Sequence, residues 1–172
     1  MIDSLTSHLH SIWQDIVHFE FRQGAICSER HLQAIFYKAF QLDGISAWVE
    51  PKLSGKNINR IEGYAPDLLF TSSDEIIGVV EIRYSPYYQL EPQNDMYRFE
   101  TFRKEMKDEE TYEIYLKTNP ENGDINTHEI YHLSPQMIFI YAVIAKEGSK
   151  ALDKSFFSEY NANSFAHFGI SV

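Results

Sequence analysis

The chain has 172 residues, a length that fits one domain with a sizeable core. Its twelve Phe and eleven Tyr exclude a disordered chain, and no apolar run is long enough to cross a bilayer. A formal charge of −10 argues against a broad nucleic-acid-binding surface but leaves open a local basic groove, because Arg98, Arg103, Lys104 and Lys107 cluster in one segment. The one cysteine, Cys27, has no internal partner, and the N-terminus has neither the basic start nor the apolar middle of a signal peptide. Both observations point to a cytoplasmic protein.

In chain order, residues 3–19 carry Leu5, Leu9, Ile12, Trp13 and Ile16 at helical spacing. Gly24 interrupts. Ser28 is the expected cap of a second helix, with Glu29 in its positive first turn and Leu32, Ile35, Phe36, Ala39 and Phe40 as its buried stripe. Gly44 ends it. Residues 45–53 read as a strand and 54–57 as a loop. Two strands over roughly 65–71 and 75–84 flank a turn at Ser73-Asp74. A helix is expected from Gln93 or Asn94 to Lys107. Residues 111–117 and 125–133 read as an inserted hairpin around Asn119-Pro120-Glu121-Asn122-Gly123. Residues 136–145 are apolar and uncharged, the pattern of a strand buried on both faces. A helix around 149–160 and a short tail close the chain. No repeat or linker divides it, so 1–172 is one domain, with a helical extension over 1–24 and a core over 28–145. An antiparallel start followed by a helical crossover implies an α/β fold with a central mixed sheet and helices on both faces.

The hairpin carries two acids where strands are usually apolar. Pairing about Ser73-Asp74 sets Asp67 opposite Val80 or Glu81. Two carboxylates at one sheet edge repel unless a positive charge sits between them, and a divalent metal is the simplest such charge.

This order and these residues resemble the PD-(D/E)xK nuclease superfamily, the restriction-endonuclease-like fold. The resemblance spans about 28–145. Pro66-Asp67 matches the first half-motif. Glu81-Ile82-Arg83 matches the second, acid-x-lysine, except that arginine replaces lysine. Glu29 fits the glutamate common early in the first core helix, and Gln93-Asn94-Asp95-Met96-Tyr97 matches the Gln-x-x-x-Tyr motif of the exonuclease-like branch. The resemblance implies a three-layer α/β/α fold with core order αβββαβ plus an inserted hairpin. It also implies Mg²⁺- or Mn²⁺-dependent hydrolysis of DNA. Asp67, Glu81 and the backbone carbonyl of Ile82 would be the metal ligands, and Glu29 would hold a metal-bound water. Gln93, Tyr97, Arg98 and Lys104 would face the nucleic acid.

Arg83 shares a strand face with Glu81, so it keeps the position of the missing lysine. It stays protonated, however, and cannot accept a proton. Lys52 or Lys104 would have to stand in for that task. The rival expectation is therefore a catalytically silent nuclease-fold protein serving as a protein-binding subunit. A third, remote reading comes from His128-Glu129-Ile130-Tyr131-His132, which spells the His-Glu-x-x-His pattern of zinc proteases. That motif needs a helix, whereas the flanking residues favour a strand, where the two histidines would lie about 13 Å apart.

Overall fold

The computed structural model describes residues 2–54, 65–106, 112–115, 128–157 and 164–172; side chains at 52–54, 101–106, 112–115 and 128–129 fall outside the description. Helix α1 (Ile2–Ser11) runs through a wide π-helical segment, Ile12–Val17, into α2 (His18–Arg22). The wide turn is held by the His18 N–H donating to the Trp13 carbonyl. Leu5, Leu9 and Trp13 of this helix are fully or almost fully buried. Helix α3 (Glu29–Ala39) starts where the sequence places it, with the Ser28 side chain accepting from the His31 N–H at 3.2 Å.

The strands are β1 (Ser46–Val49), β2 (Lys52–Ser54), β3 (Leu68–Ser72), β4 (Glu75–Ser85), β5 (Tyr112–Tyr115), β6 (His128–Ala145) and β7 (Phe165–Ser171), with α4 (Gln93–Met106) between β4 and β5. A five-stranded sheet runs β1-β3-β4-β6-β7. Its β1–β3 and β3–β4 pairs are antiparallel, while β4–β6 and β6–β7 are parallel. The fold is thus mixed α/β with an open mixed sheet. The first part of β6 also pairs antiparallel with β5, which pairs with β2.

Helices cover both faces. On one, Leu5, Leu9 and Trp13 join Leu32 and Phe36 over Val80, Ile82, Ile140 and Ala142. Trp13 stacks between Phe36 and Phe168, with ring centroids 5.9 and 5.8 Å away. On the other, Met96 and Phe99 of α4 pack on Leu69, Val79, Phe139 and Val143. Each large side chain buried in these layers contributes about 1.5–3 kcal/mol.

Several expectations need correction. The strand expected over 45–53 is two strands, because Glu50 adopts a positive φ of 45° and turns the chain out of the sheet. Over 149–157 the expected helix is two short 3-10 turns, Lys150–Leu152 and Lys154–Phe157; its expected end at 158–160 lies outside the described residues, and in the tail Phe165–Ser171 forms β7. Residues 125–133 and 136–145 are not separate strands. From His128 they form the single strand β6, which continues past Pro135 with its register against β4 shifted between Leu133 and Ile138. The parts of the expected hairpin at 111 and 116–127, and residues 55–57 of the expected loop, lie outside the described residues.

Candidate functional site

The turn at Ser73-Asp74 sets the site. Ser73 takes the left-handed conformation (φ 53°), and a bulge between Phe70 and Thr71 restores the register Leu68↔Val80. That register puts Asp67, just before β3, beside Glu81. Across the sheet Glu81 pairs with Tyr141, and Tyr141 with His167. A row of polar side chains therefore crosses the middle of an otherwise apolar sheet.

Asp67 is anchored from both sides. The Ile82 N–H donates to its Oδ2 at 2.6 Å, and the Gln33 amide donates to its backbone carbonyl at 2.7 Å. Burial pushes the Asp67 carboxyl above the usual carboxylate range, against the opposing pull of the Ile82 N–H and the Arg83 charge. Glu81 is only 4% exposed.

The positive charge between them is Arg83. Its Nη1 lies 3.6 Å from Asp67 Oδ2, and its Nη2 lies 3.5 Å from Glu81 Oε2. A third acid, Asp95 in the first turn of α4, grips the guanidinium side-on: Arg83 Nε donates to Asp95 Oδ2 at 2.8 Å and Nη2 donates to Oδ1. Arg83 Nη1 also donates to the Ile82 carbonyl at 2.8 Å. Tyr141 completes the cluster by donating its hydroxyl to Asp95 Oδ2 at 3.2 Å. Burial alone disfavours the Arg83 charge, but the bonds to Asp95 and the fields of Glu81 and Asp67 outweigh it and hold the guanidinium protonated. Burial also raises the Tyr141 hydroxyl, with the negative charge of Asp95 adding to the effect. The phenol thus stays a donor.

The remaining candidates lie at the edge of this cluster or away from it. Glu29 is exposed; its Oε1 accepts from the Tyr84 N–H at a long 3.4 Å. Gln93 is exposed and donates to Glu91 Oε2 at 2.8 Å, an acid already paired with Lys150 at 2.9 Å. Tyr97 and Arg98 project outward from α4, with Tyr97 72% exposed. The side chains of Lys52 and Lys104 fall outside the described residues. His128–His132 are extended backbone within β6, not helix, and His132 is exposed.

Asp95 and Tyr141 escape a reading of the sequence. Asp95 sits inside the Gln93–Tyr97 motif, where attention falls on the two ends; as an acid in the first turn of a helix it looks like an ordinary favourable charge. Tyr141 hides within the apolar run of β6. Its one signal is a hydroxyl in a strand buried on both faces, which needs a partner.

A divalent ion does not fit this arrangement as it stands. The position between the acids holds a guanidinium, and the Ile82 carbonyl is engaged by the same side chain. Among the described residues no three His, Cys, Asp or Glu side chains form a group with the geometry to hold a metal. No described helix is long and apolar enough to cross a membrane. Comparison with known protein families, with curated proteins and with solved structures finds no match.

Proposed function

We infer that the chain is a restriction-endonuclease-like domain that binds rather than cuts, a catalytically silent subunit for a protein partner. The order α3, β1, β3, β4, α4, β6, with β6 parallel to β4, agrees with the αβββαβ core of the resemblance. One observation carries the silent reading: Arg83 compensates Asp67, Glu81 and Asp95 at once, a task that a hydrolytic site gives to an exchangeable metal. Charge favours a protein over a nucleic acid as the ligand. The chain is strongly acidic, with a formal charge of −10. Tyr87 and Tyr88, 77% and 75% exposed after β4, are residues of the kind enriched at protein interfaces.

A second reading, an Mg²⁺- or Mn²⁺-dependent deoxyribonuclease, is favoured by one fact: Asp67 and Glu81 reach the same cation from the same side of the sheet. Calorimetric titration with millimolar Mn²⁺ separates the two, alongside DNA cleavage assays on wild type, Asp67→Ala, Glu81→Ala and Arg83→Lys. The silent reading expects no saturable heat and no cleavage from wild type. Metal-dependent cleavage lost in Glu81→Ala would overturn it, and Arg83→Lys would then be expected to raise the rate, since lysine has a tunable proton.

A further inference from the structure

On the face of the sheet opposite α4, the first helix and α3 leave an open groove of about 480 Å³ between them. Its walls are mostly apolar and small, with Ile16 on one side and Ala34, Ile35 and Ala39 on the other. Glu20 lines it from α2 and Lys38 from α3. Outside the groove's own lining, but on the same two helices, two aromatic side chains stand in solvent, Phe19 at 58% and Tyr37 at 52% exposure. The two helices carry matching patterns. Ile16, Phe19 and Glu20 follow one another at i, i+3, i+4, as do Ala34, Tyr37 and Lys38. Each trio is an apolar residue, an aromatic and a charge, and the charges are opposite. Among the described residues the ion pairs involve Arg83 and Lys150, and neither Glu20 nor Lys38 has one.

Such a surface is complementary to itself. We propose that it joins two copies of this chain about a two-fold axis. The Ile16–Phe19–Glu20 ridge of one copy lies on the Ala34–Tyr37–Lys38 ridge of the other. In a two-fold interface every contact occurs twice, so Glu20 meets Lys38 of the partner subunit and Lys38 meets Glu20 of the partner subunit. Phe19 covers the small side chains of the facing groove, and water leaves the apolar walls on both sides. The ion pairs set the register, because a shifted or parallel arrangement brings like charges together.

Sedimentation equilibrium of the full chain, from low to high micromolar concentration, tests this. The wild type is expected to form a dimer. Glu20→Lys and Lys38→Glu are each expected to weaken it about tenfold or more, since each change creates two like-charge contacts per dimer. The double exchange, Glu20→Lys with Lys38→Glu, is expected to recover most of the loss. Ala34→Glu, which puts a charge on the groove wall, is expected to give a monomer. Thermal melts followed by circular dichroism establish that each variant is folded. A wild type that stays monomeric throughout, single exchanges that dimerise like wild type, or a double exchange no better than the singles would each overturn the proposal. These outcomes are independent of whether the Arg83 cluster binds metal.

Discussion

Replacing Arg83 with methionine keeps much of the side chain's length and removes its charge. In the wild type the guanidinium lies 3.6 Å from Asp67 and 3.5 Å from Glu81 and is bonded twice to Asp95. At an effective dielectric of about 20, one such contact is worth about 5 kcal/mol before desolvation is charged against it. Desolvation cancels most of the gain in the intact cluster, but the variant leaves three acids facing one another without a counter-ion. Breaking a buried pair in this way costs about 3–5 kcal/mol, a large share of a domain stability of about 5–15 kcal/mol. With a urea slope of about 2 kcal/mol/M, the unfolding midpoint is expected to fall by about 2 M. The deficit also depends on pH. Burial already holds the Asp67 carboxyl above its unfolded value of about 4, and removing the Arg83 charge takes away one of the influences that lower it, so it rises further. Its contribution to stability is then fully present below the unfolded value and is lost as pH rises through the folded one. The gap between variant and wild type should therefore narrow on acidification. A loss under about 1 kcal/mol at pH 7, or a gap that ignores pH, would refute the role of Arg83 as the internal counter-ion.

Asp95→Asn keeps the shape of the clamp and removes its charge. It is expected to cost about 1.5–3 kcal/mol in urea unfolding, and an unchanged midpoint would mean that Asp67 and Glu81 alone hold the arginine. His167 donates from Nε2 to the Ala151 carbonyl at 2.8 Å, while its buried Nδ1 has no partner among the described residues, and burial depresses its pKa. Its contribution to stability is whole above the unfolded pKa of about 6.5 and fades as pH falls through the lower folded value. His167→Phe should flatten that part of the stability–pH curve; an identical curve would assign the acid sensitivity elsewhere. At Gly78 an added Cβ would lie 2.9 Å from Leu5 Cδ2, so Gly78→Ala is expected to cost about 1–3 kcal/mol. Much of that cost should vanish in a Leu5→Ala background, and additive effects would show that the clash lies elsewhere.

Where one periodicity governs a segment, the sequence is easy to read. Ser28 capping α3, the Ser73-Asp74 turn and the buried run of β6 each rest on local rules: a side-chain oxygen for free N–H groups, a left-handed turn residue, and an uncharged strand with neighbours on both sides. The same hairpin pairing brings Asp67 and Glu81 together. What is hidden depends on distant partners. Nothing local marks Phe165–Ser171 as a strand; it becomes one because β6 has a free edge to fill. The kink at Glu50 has no glycine to announce it. Pro135 suggests a break, yet the strand continues past it, and only the pairing with β4 skips, from Leu133 to Ile138. In the cluster, the repulsion of two acids demands a positive charge, and the demand is met by a neighbour two residues along the strand instead of an ion from solution. That choice turns on Asp95, which folding brings to Arg83 from the next helix.

The sixth strand in chain order lies inside the main sheet, between β4 and the edge strand β7. The β3–β4 ribbon can close as soon as its short turn forms, but the parallel contacts of β6 must wait for distant parts of the chain to meet. Assembly of this molecule is therefore paced by long-range loop closure, whose entropy is lost before any contact repays it. Until β7 arrives, residues 139–145 present an unpaired apolar rim, a place where stray chains can add. The final strand is thus a guard on the sheet's greasiest backbone as well as a piece of its architecture.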